Sequence, residues 1–152
     1  MYKQVYLKRG KEESLLRFHP WIFSGAINKI EEGLEEGDIV RVMTHDKKFI
    51  AVGHFQIGSI AIRVLSFHDV KIVDKFWESR LKAALQVRQA IGIIREESTG
   101  TGLFPNTTYR LVHGEGDNLP GLIIDIYGKT AVMQAHSVGC LLYTSPSPRD
   151  TR

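Results

Sequence analysis

The densest cluster of side chains that could do chemistry is a polar corner from His113 to Asn118, which contains His113, Glu115, Asp117 and Asn118. Imidazole and carboxylate groups bind metal ions, and oxygen-rich turns bind hard cations. Two carboxylates can also serve as general acid and base. The same residues are typical of a turn in which Asp and Asn cap their own backbone. We expect a structural or interdomain role, with a metal-dependent enzyme using His113, Glu115 and Asp117 as the weaker alternative.

A second candidate is the glycine-containing segment Ser98–Gly102, which superficially resembles a phosphate-cradling loop. Such loops follow a strand and open a helix. Here the sequence predicts a helix before the segment and a strand after it. We therefore expect a flexible connection, and no nucleotide-type pocket of the doubly wound kind in these 152 residues.

The third candidate is a basic stretch near the N-terminus. Residues 1–23 contain five Lys or Arg and two Glu, so their net charge of +3 equals that of the whole chain. Lys and Arg contact nucleic-acid phosphates, and the Ser24 hydroxyl and Gly25 N–H could add neutral donors. Trp21 and Phe23 could stack on bases. In so apolar a run we expect them in the core instead.

Bulk composition excludes several classes of protein. The chain is 43% hydrophobic and 24% charged, which is typical of a globular protein. No run approaches the roughly 20 apolar residues of a membrane span, and the N-terminus has no signal-peptide pattern. Cys140 is the only cysteine, so one chain cannot form a disulfide or a cysteine-based zinc site. We expect a cytoplasmic protein with no membrane partner, and the sequence leaves a homodimer open.

The elements that would position these residues fall into two groups. Short β-branched runs with Gly and Asp turns predict a small β-barrel or sandwich over residues 1–68. A helix capped by Asp74 and running to about Ile94 follows. Two strands flank the polar corner, and a third covers Thr130–Ala135. The fold class is therefore α+β, with a central domain of one long helix and about three strands over residues 69–139.

The tail from Cys140 to Arg152 has a different character, because periodicity stops and Ser and Pro dominate. It resembles the translation of a transposase sequencing adapter, so we treat residues 140–152 as a non-native tail. The alternative is a natural disordered Ser/Pro segment. On the adapter interpretation the native protein continues beyond Gly139, and this chain is an N-terminal fragment.

Several motifs together resemble the bacterial class I large-subunit rRNA cytosine-5 methyltransferases that carry an N-terminal PUA domain. The residues that carry the resemblance are Leu7–Lys11, Ser14–Ile27, Gly37–Val40, Ile60–Leu65 and Tyr109–Asp125. The resemblance covers residues 2–139 in order, and its two longer motifs are specific.

The resemblance implies a PUA-like β pseudo-barrel, a central α+β domain, and then a Rossmann-like methyltransferase domain that binds S-adenosylmethionine. This chain would stop before that domain, so we expect no catalytic, cofactor-binding or metal residue in it, and no bound cofactor. The implied partner is ribosomal RNA. Carried onto this sequence, its contacts would be Arg9, Lys11, Arg17, His19, Ser24, Gly25 and Arg63. A stand-alone PUA-type RNA-binding module is the competing hypothesis.

Overall fold

The computed structural model describes residues 2–95 and 106–139. It divides into two units, which are considered separately. The first is Met1–Lys71 with the segment from His136 onward, and the second is Ile72–Ala135. The Ser98–Gly102 loop and the tail from Cys140 lie outside the described residues. Both units have strands and few helices, in keeping with the α+β class. Within the described ranges, no helix has the length and apolar content to cross a membrane.

The elements that the structure describes in the first unit are six short strands, one short helix and a 3-10 turn. Its elements are β1 (Lys3–Leu7), α1 (Glu13–Leu16), β2 (Trp21–Phe23), a 3-10 turn (Ser24–Ala26), β3 (Ile27–Ile30), β4 (Ile39–Met43), β5 (Phe49–Phe55) and β6 (Ile60–Ser66). They form one sheet in the order β2-β6-β5-β4-β1-β3. All pairings are antiparallel except that of β1 with β4.

The connection between β2 and β3 forces this sheet to curl. These two strands are opposite edges of a six-stranded sheet, so in a flat sheet they would lie about 24 Å apart. Only the Ser24–Ala26 turn joins them, and so short a segment reaches about 14 Å. Register shifts in the β1–β3, β2–β6, β4–β5 and β5–β6 pairs supply local bends. The result is a half-barrel, as expected of a PUA-like pseudo-barrel.

The core of the first unit lies inside this curl. In β1 and β4 the core residues alternate along the strand, as period-2 patterning requires. The central strands β5 and β6 are buried over most of their length, and α1 adds Leu15. The buried cluster consists of Val5, Leu7, Leu15, Ile22, Val40, Val42, Ala51, Phe55, Ala61, Ile62 and Val64. Burial of these aliphatic side chains is the main force that holds the strands together.

The second unit contains α2 (Asp74–Ala90), β7 (Thr108–His113), a 3-10 turn (Gly114–Asp117), β8 (Leu122–Tyr127) and β9 (Thr130–Ala135). The three strands form an antiparallel sheet in chain order. Its buried side chains include Ala84, Val112, Leu119, Leu122 and Ile124.

Two details of α2 differ from the sequence prediction. Asp74 is the first helical residue and not the cap: Val73 occupies the cap position, and no side chain caps the helix there. The helix ends at Ala90, four residues before the predicted end near Ile94, and Ile91 is exposed. Gly92 with φ +77° explains the end, since a left-handed glycine just after the last turn closes a helix.

Candidate nucleic-acid interface

The basic stretch begins with a tight turn after β1. The Lys8 N–H donates to the Ala26 carbonyl at 2.8 Å, and the Lys11 N–H donates to the Lys8 carbonyl at 3.1 Å. Gly10 takes a φ of +79°, which closes the turn at no steric cost. The backbone is thus tied down while the side chains of Lys8, Arg9 and Lys11 are exposed.

Helix α1 carries the next group of predicted site residues. Leu15 anchors the helix in the core, and Arg17 ends it as the C-cap. Phe18 then adopts a left-handed φ of +63°, a conformation that costs a residue with a side chain roughly 1–2 kcal/mol. Its ring is 72% exposed and meets Phe67 edge-on at 5.2 Å. Arg17 and His19 are also exposed.

Strand β2 overturns the expectation that its aromatic residues are in the core. Only Ile22 is buried; Trp21 is half-buried and Phe23 is 49% exposed. Successive side chains of a strand point to opposite faces, so Trp21 and Phe23 share the face that Ile22 does not use. Their rings meet edge-on, with centroids 6.5 Å apart. The sequence indicated an apolar triplet but did not reveal that two of its three members lie at the surface.

Two further side chains hold Trp21 in place. The Arg63 guanidinium, on the neighbouring strand β6, lies 5.7 Å from the Trp21 ring centroid, a cation–π contact. His19 Nδ1 lies 3.2 Å from the Trp21 backbone nitrogen, whose N–H can donate to it. The His19 ring also lies 6.2 Å from both the Trp21 and the Phe23 rings.

A cavity of about 320 Å³ opens between α1, β2 and the Ser24–Ala26 turn. Its walls are apolar and aromatic, with Lys11 and Ser14 as the polar side chains. The lining residues are Lys11, Ser14, Leu15, Trp21, Ile22, Phe23, Gly25 and Ala26. No other described segment packs against Gly25, since a Cβ placed there would meet nothing within 4 Å.

The electrostatic environment favours an anionic partner. In the part of the chain that the structure describes, the side chains of Lys8, Arg9, Lys11 and Arg17 form no ion pair, whereas Arg41 of the same unit binds Asp69 at 2.6 Å. Exposed cations without a carboxylate partner can neutralise phosphates and release their counterions.

The structure therefore brings some of the predicted contacts together and leaves others apart. Lys11 and Gly25 line one cavity, while Arg63 and His19 contact the aromatic side chains at its edge. Arg9 lies in the adjoining turn. Arg17 and Ser24 do not line the cavity; the Ser24 N–H is already bonded to the Ser59 carbonyl at 2.8 Å. Trp21 and Phe23, set aside from the sequence, are at the centre of the arrangement.

The polar corner of the second unit is organised by an ion pair. Arg88 on α2 binds both carboxylate oxygens of Asp117, one through Nη1 and the other through Nη2 at 2.8 Å. The Arg88 Nε also donates to the Arg110 carbonyl at 3.1 Å, and the Asp117 carboxylate accepts the His113 N–H at 2.6 Å. The pair is largely buried, with 12% and 8% of the two side chains exposed. It joins the helix to the turn that follows β7.

This ion pair argues against a cation site at the corner. Burial alone would raise the pKa of Asp117, but the hydrogen bonds from Arg88 and the His113 N–H outweigh it and hold the pKa below its usual range. Asp117 is thus ionised, yet both its oxygens are already engaged. Among the described residues, no group of three His, Cys, Asp or Glu side chains could hold a metal ion. The corner is a structural joint between helix and sheet.

Sequence reasoning missed His54, which lies in the middle of the sheet on β5 and is 2% exposed. Burial lowers its pKa to about 4, because the imidazolium ion loses its hydration there. Gly139 lies directly against the ring: a Cβ at Gly139 would fall 2.2 Å from the His54 Cγ. One histidine within a predicted strand carries no signal that it will be buried.

The part of the chain that contains this surface is similar to a known family of domains. The profile of the PUA-like domain family matches residues 5–67, which span β1 to β6 and include every residue of the cavity.

Curated relatives extend the similarity to most of the chain. It is 36% identical over 140 residues to the ribosomal RNA large subunit methyltransferase I of Salmonella paratyphi B and to that of Salmonella newport. Each alignment covers 91% of this chain and 32% of the relative. The chain thus spans about a third of the length of the curated relatives it matches.

Solved structures share the fold. The chain superimposes with a TM-score of 0.72 and 16% identity on SMU.776, described as a methyltransferase in complex with SAH, covering 93% of this chain and 34% of that one. A SAM-dependent methyltransferase from Streptococcus mutans gives the same TM-score and identity, with 35% of its chain covered. At this identity the likeness establishes the fold alone.

Proposed function

We propose that the first unit binds RNA through the surface formed by the Lys8–Lys11 turn, the end of α1, and β2. The observation that carries this proposal is a group of exposed cations that form no ion pair within the described residues. They lie beside an aromatic cavity in the region similar to PUA-like domains. The proposed contacts are Arg9, Lys11, Arg17, His19, Ser24, Gly25 and Arg63. Positioning is the mechanism: cations attract and orient the RNA, and neutral donors and rings refine the fit.

We further propose that the parent protein is an S-adenosylmethionine-dependent methyltransferase acting on cytosine C5 of large-subunit rRNA, with this chain as its RNA-docking and linking part. Similarity to rRNA methyltransferases over 91% of the chain supports the assignment. The chain itself is proposed to be inactive. In the described ranges only α2 is a long helix, and the residues between β6 and α2, 67–73, include no glycine. A turn that cradles a cofactor of this kind joins a strand to a helix through glycines, so residues 67–73 do not fit one.

RNA binding is tested by the salt dependence of affinity for a large-subunit rRNA fragment, measured by fluorescence anisotropy. Replacing both Arg9 and Lys11 with Ala removes two phosphate contacts, so the slope of log affinity against log salt should become shallower by about 1.4–1.8. Lys75→Ala with Lys82→Ala is the matched control, because these are two exposed lysines of the second unit. An affinity that does not change with salt would refute electrostatic docking.

Methyl transfer is tested separately with radiolabelled S-adenosylmethionine. This chain should transfer no label to rRNA, whereas the product of the full-length gene should. Bisulfite sequencing of the product RNA should locate the methyl group on a cytosine. RNA binding by a full-length product that transfers no label would favour the stand-alone RNA-binding module instead. Label at any other base would refute the cytosine assignment while leaving the docking proposal intact.

A further inference from the structure

We propose that the 320 Å³ cavity beside β2 receives a single unstacked nucleotide, so that this unit selects unpaired RNA over duplex. The inference rests on the proposed RNA binding and adds the form of the RNA that is bound. It comes from three features of the cavity: its size, its aromatic wall and the cations at its edge.

Size limits the occupant. Pockets for small ligands are roughly 300–1,000 Å³, and this one is at the lower end of that range. It can take one base with its sugar, and not a stack of bases or a helix. Leu15 and Ile22, both buried, form the floor, so the cavity ends at the hydrophobic core.

The wall offers what an unstacked base requires. A base removed from its stack loses aromatic contacts, which protein side chains replace when a ring or guanidinium plane is available. Phe23 is half exposed and lines the cavity. Trp21 is held by the Arg63 cation–π contact and by the edge of Phe23. The aromatic wall is therefore already positioned before RNA binds.

Charge complementarity identifies the occupant as a nucleotide and not a neutral aromatic ligand. Lys11 lines the cavity, and Lys8 and Arg9 project from the same hydrogen-bonded turn. A base stacked on the exposed Phe23 ring would bring its phosphate close to Lys11, which lines the same cavity. Ser14 adds a hydroxyl that can donate to or accept from a base edge or a 2′-OH.

An A-form duplex cannot satisfy these features, because its bases are stacked and its deep, narrow major groove excludes side chains. Duplex RNA could still contact the cations. The model therefore separates two contributions to affinity: a cationic one shared by all RNA and an aromatic one restricted to unpaired nucleotides.

Gly25 provides the sharpest test. Its φ lies outside the left-handed region and a Cβ there meets nothing within 4 Å, so Gly25→Ala should be tolerated. Gly25→Leu should occupy the cavity without disturbing the core. We expect Gly25→Leu and Phe23→Ala each to weaken binding of a single-stranded rRNA oligonucleotide about tenfold or more, with less than a twofold change for the duplex of the same sequence. Asn28→Ala, at an exposed position of β3 that does not line the cavity, is the control and should bind like the wild type.

Thermal melting checks that each variant folds, and if Gly25→Leu does not fold, Phe23→Ala alone decides the question. Crosslinking of an oligonucleotide that carries 5-iodouridine should label the peptide containing Trp21 and Phe23. Equal weakening of single-stranded and duplex RNA, or no weakening by either variant, would overturn the nucleotide pocket while RNA binding stands. A wild-type chain that binds neither RNA would overturn the proposed function itself.

Discussion

His54 should make the stability of the first unit depend on pH in a range where carboxylates have little effect. Its pKa is about 4 in the folded chain, against about 6.5 for a free histidine. Between these values the unfolded state binds a proton that the folded state does not. Stability is therefore complete above about pH 6.5 and falls as the pH drops towards 4. The loss amounts to about 2 kcal/mol between pH 7.5 and pH 5, and to about 3 kcal/mol below pH 4.

The assay is urea unfolding followed by tryptophan fluorescence at a series of pH values. The chain has two tryptophans, and a Trp77→Phe background leaves Trp21, in the same unit as His54, as the reporter. In that background His54→Asn should flatten the profile between pH 7.5 and 5, whatever its effect at neutral pH. His45→Asn, at an exposed position, is the matched control and should keep the slope. An unchanged slope in His54→Asn would refute the attribution to this buried imidazole.

Three further substitutions test the structure. Asp117→Asn should destabilise the second unit by about 3 kcal/mol in urea unfolding, since it leaves the Arg88 guanidinium buried without a counter-charge. The control is Asp125→Asn, which should cost less than about 1 kcal/mol because its partner Arg110 is exposed. Equal losses of stability in the two variants would contradict the argument. Gly53→Ala should cost about 2 kcal/mol, because its Cβ would lie 2.5 Å from the Arg63 carbonyl oxygen; a melting temperature equal to that of the wild type would show that β5 and β6 separate easily. Lys47→Gly should raise the melting temperature by relieving a left-handed φ of +64° at an exposed turn, and a decrease would show that the Lys47 side chain contributes more than that strain costs.

Local patterns in the sequence predicted much of the secondary structure but little of the pairing. Short β-branched runs with turn residues between them indicated strands correctly. The parallel pairing of β1 with β4, from Lys3 opposite Val40 to Tyr6 opposite Met43, joins segments far apart in the chain, and no local pattern encodes it. The same holds for the Arg88–Asp117 pair, whose partners are 29 positions apart. Without Arg88, the sequence favoured a structural role for the corner but left a metal site open as the weaker alternative.

The sequence indicated the charged residues of the candidate site but not its aromatic residues. Lys11 and Arg63 were named from the sequence, and both lie by the aromatic side chains. The exposure of Trp21 and Phe23 could not be foreseen, because hydrophobicity does not reveal which face of an edge strand lacks a covering layer. Gly25 was named from the sequence for its N–H, and nothing in the sequence indicated the open space that lies beside it.

The place of β2 at the sheet edge also has a consequence for the order of events during synthesis. Among the described strands β2 pairs with β6 alone, and Trp21 meets Arg63, made 42 residues later. At roughly 5–20 residues per second, the ribosome needs about 2–8 s to make that partner. The same interval separates the emergence of the two strands from the ribosomal exit tunnel, and during it the apolar Trp21–Phe23 segment is outside the ribosome before β6 appears. Among the described strands of the first unit, the one proposed to recognise RNA therefore gives a nascent-chain chaperone the longest opportunity to bind.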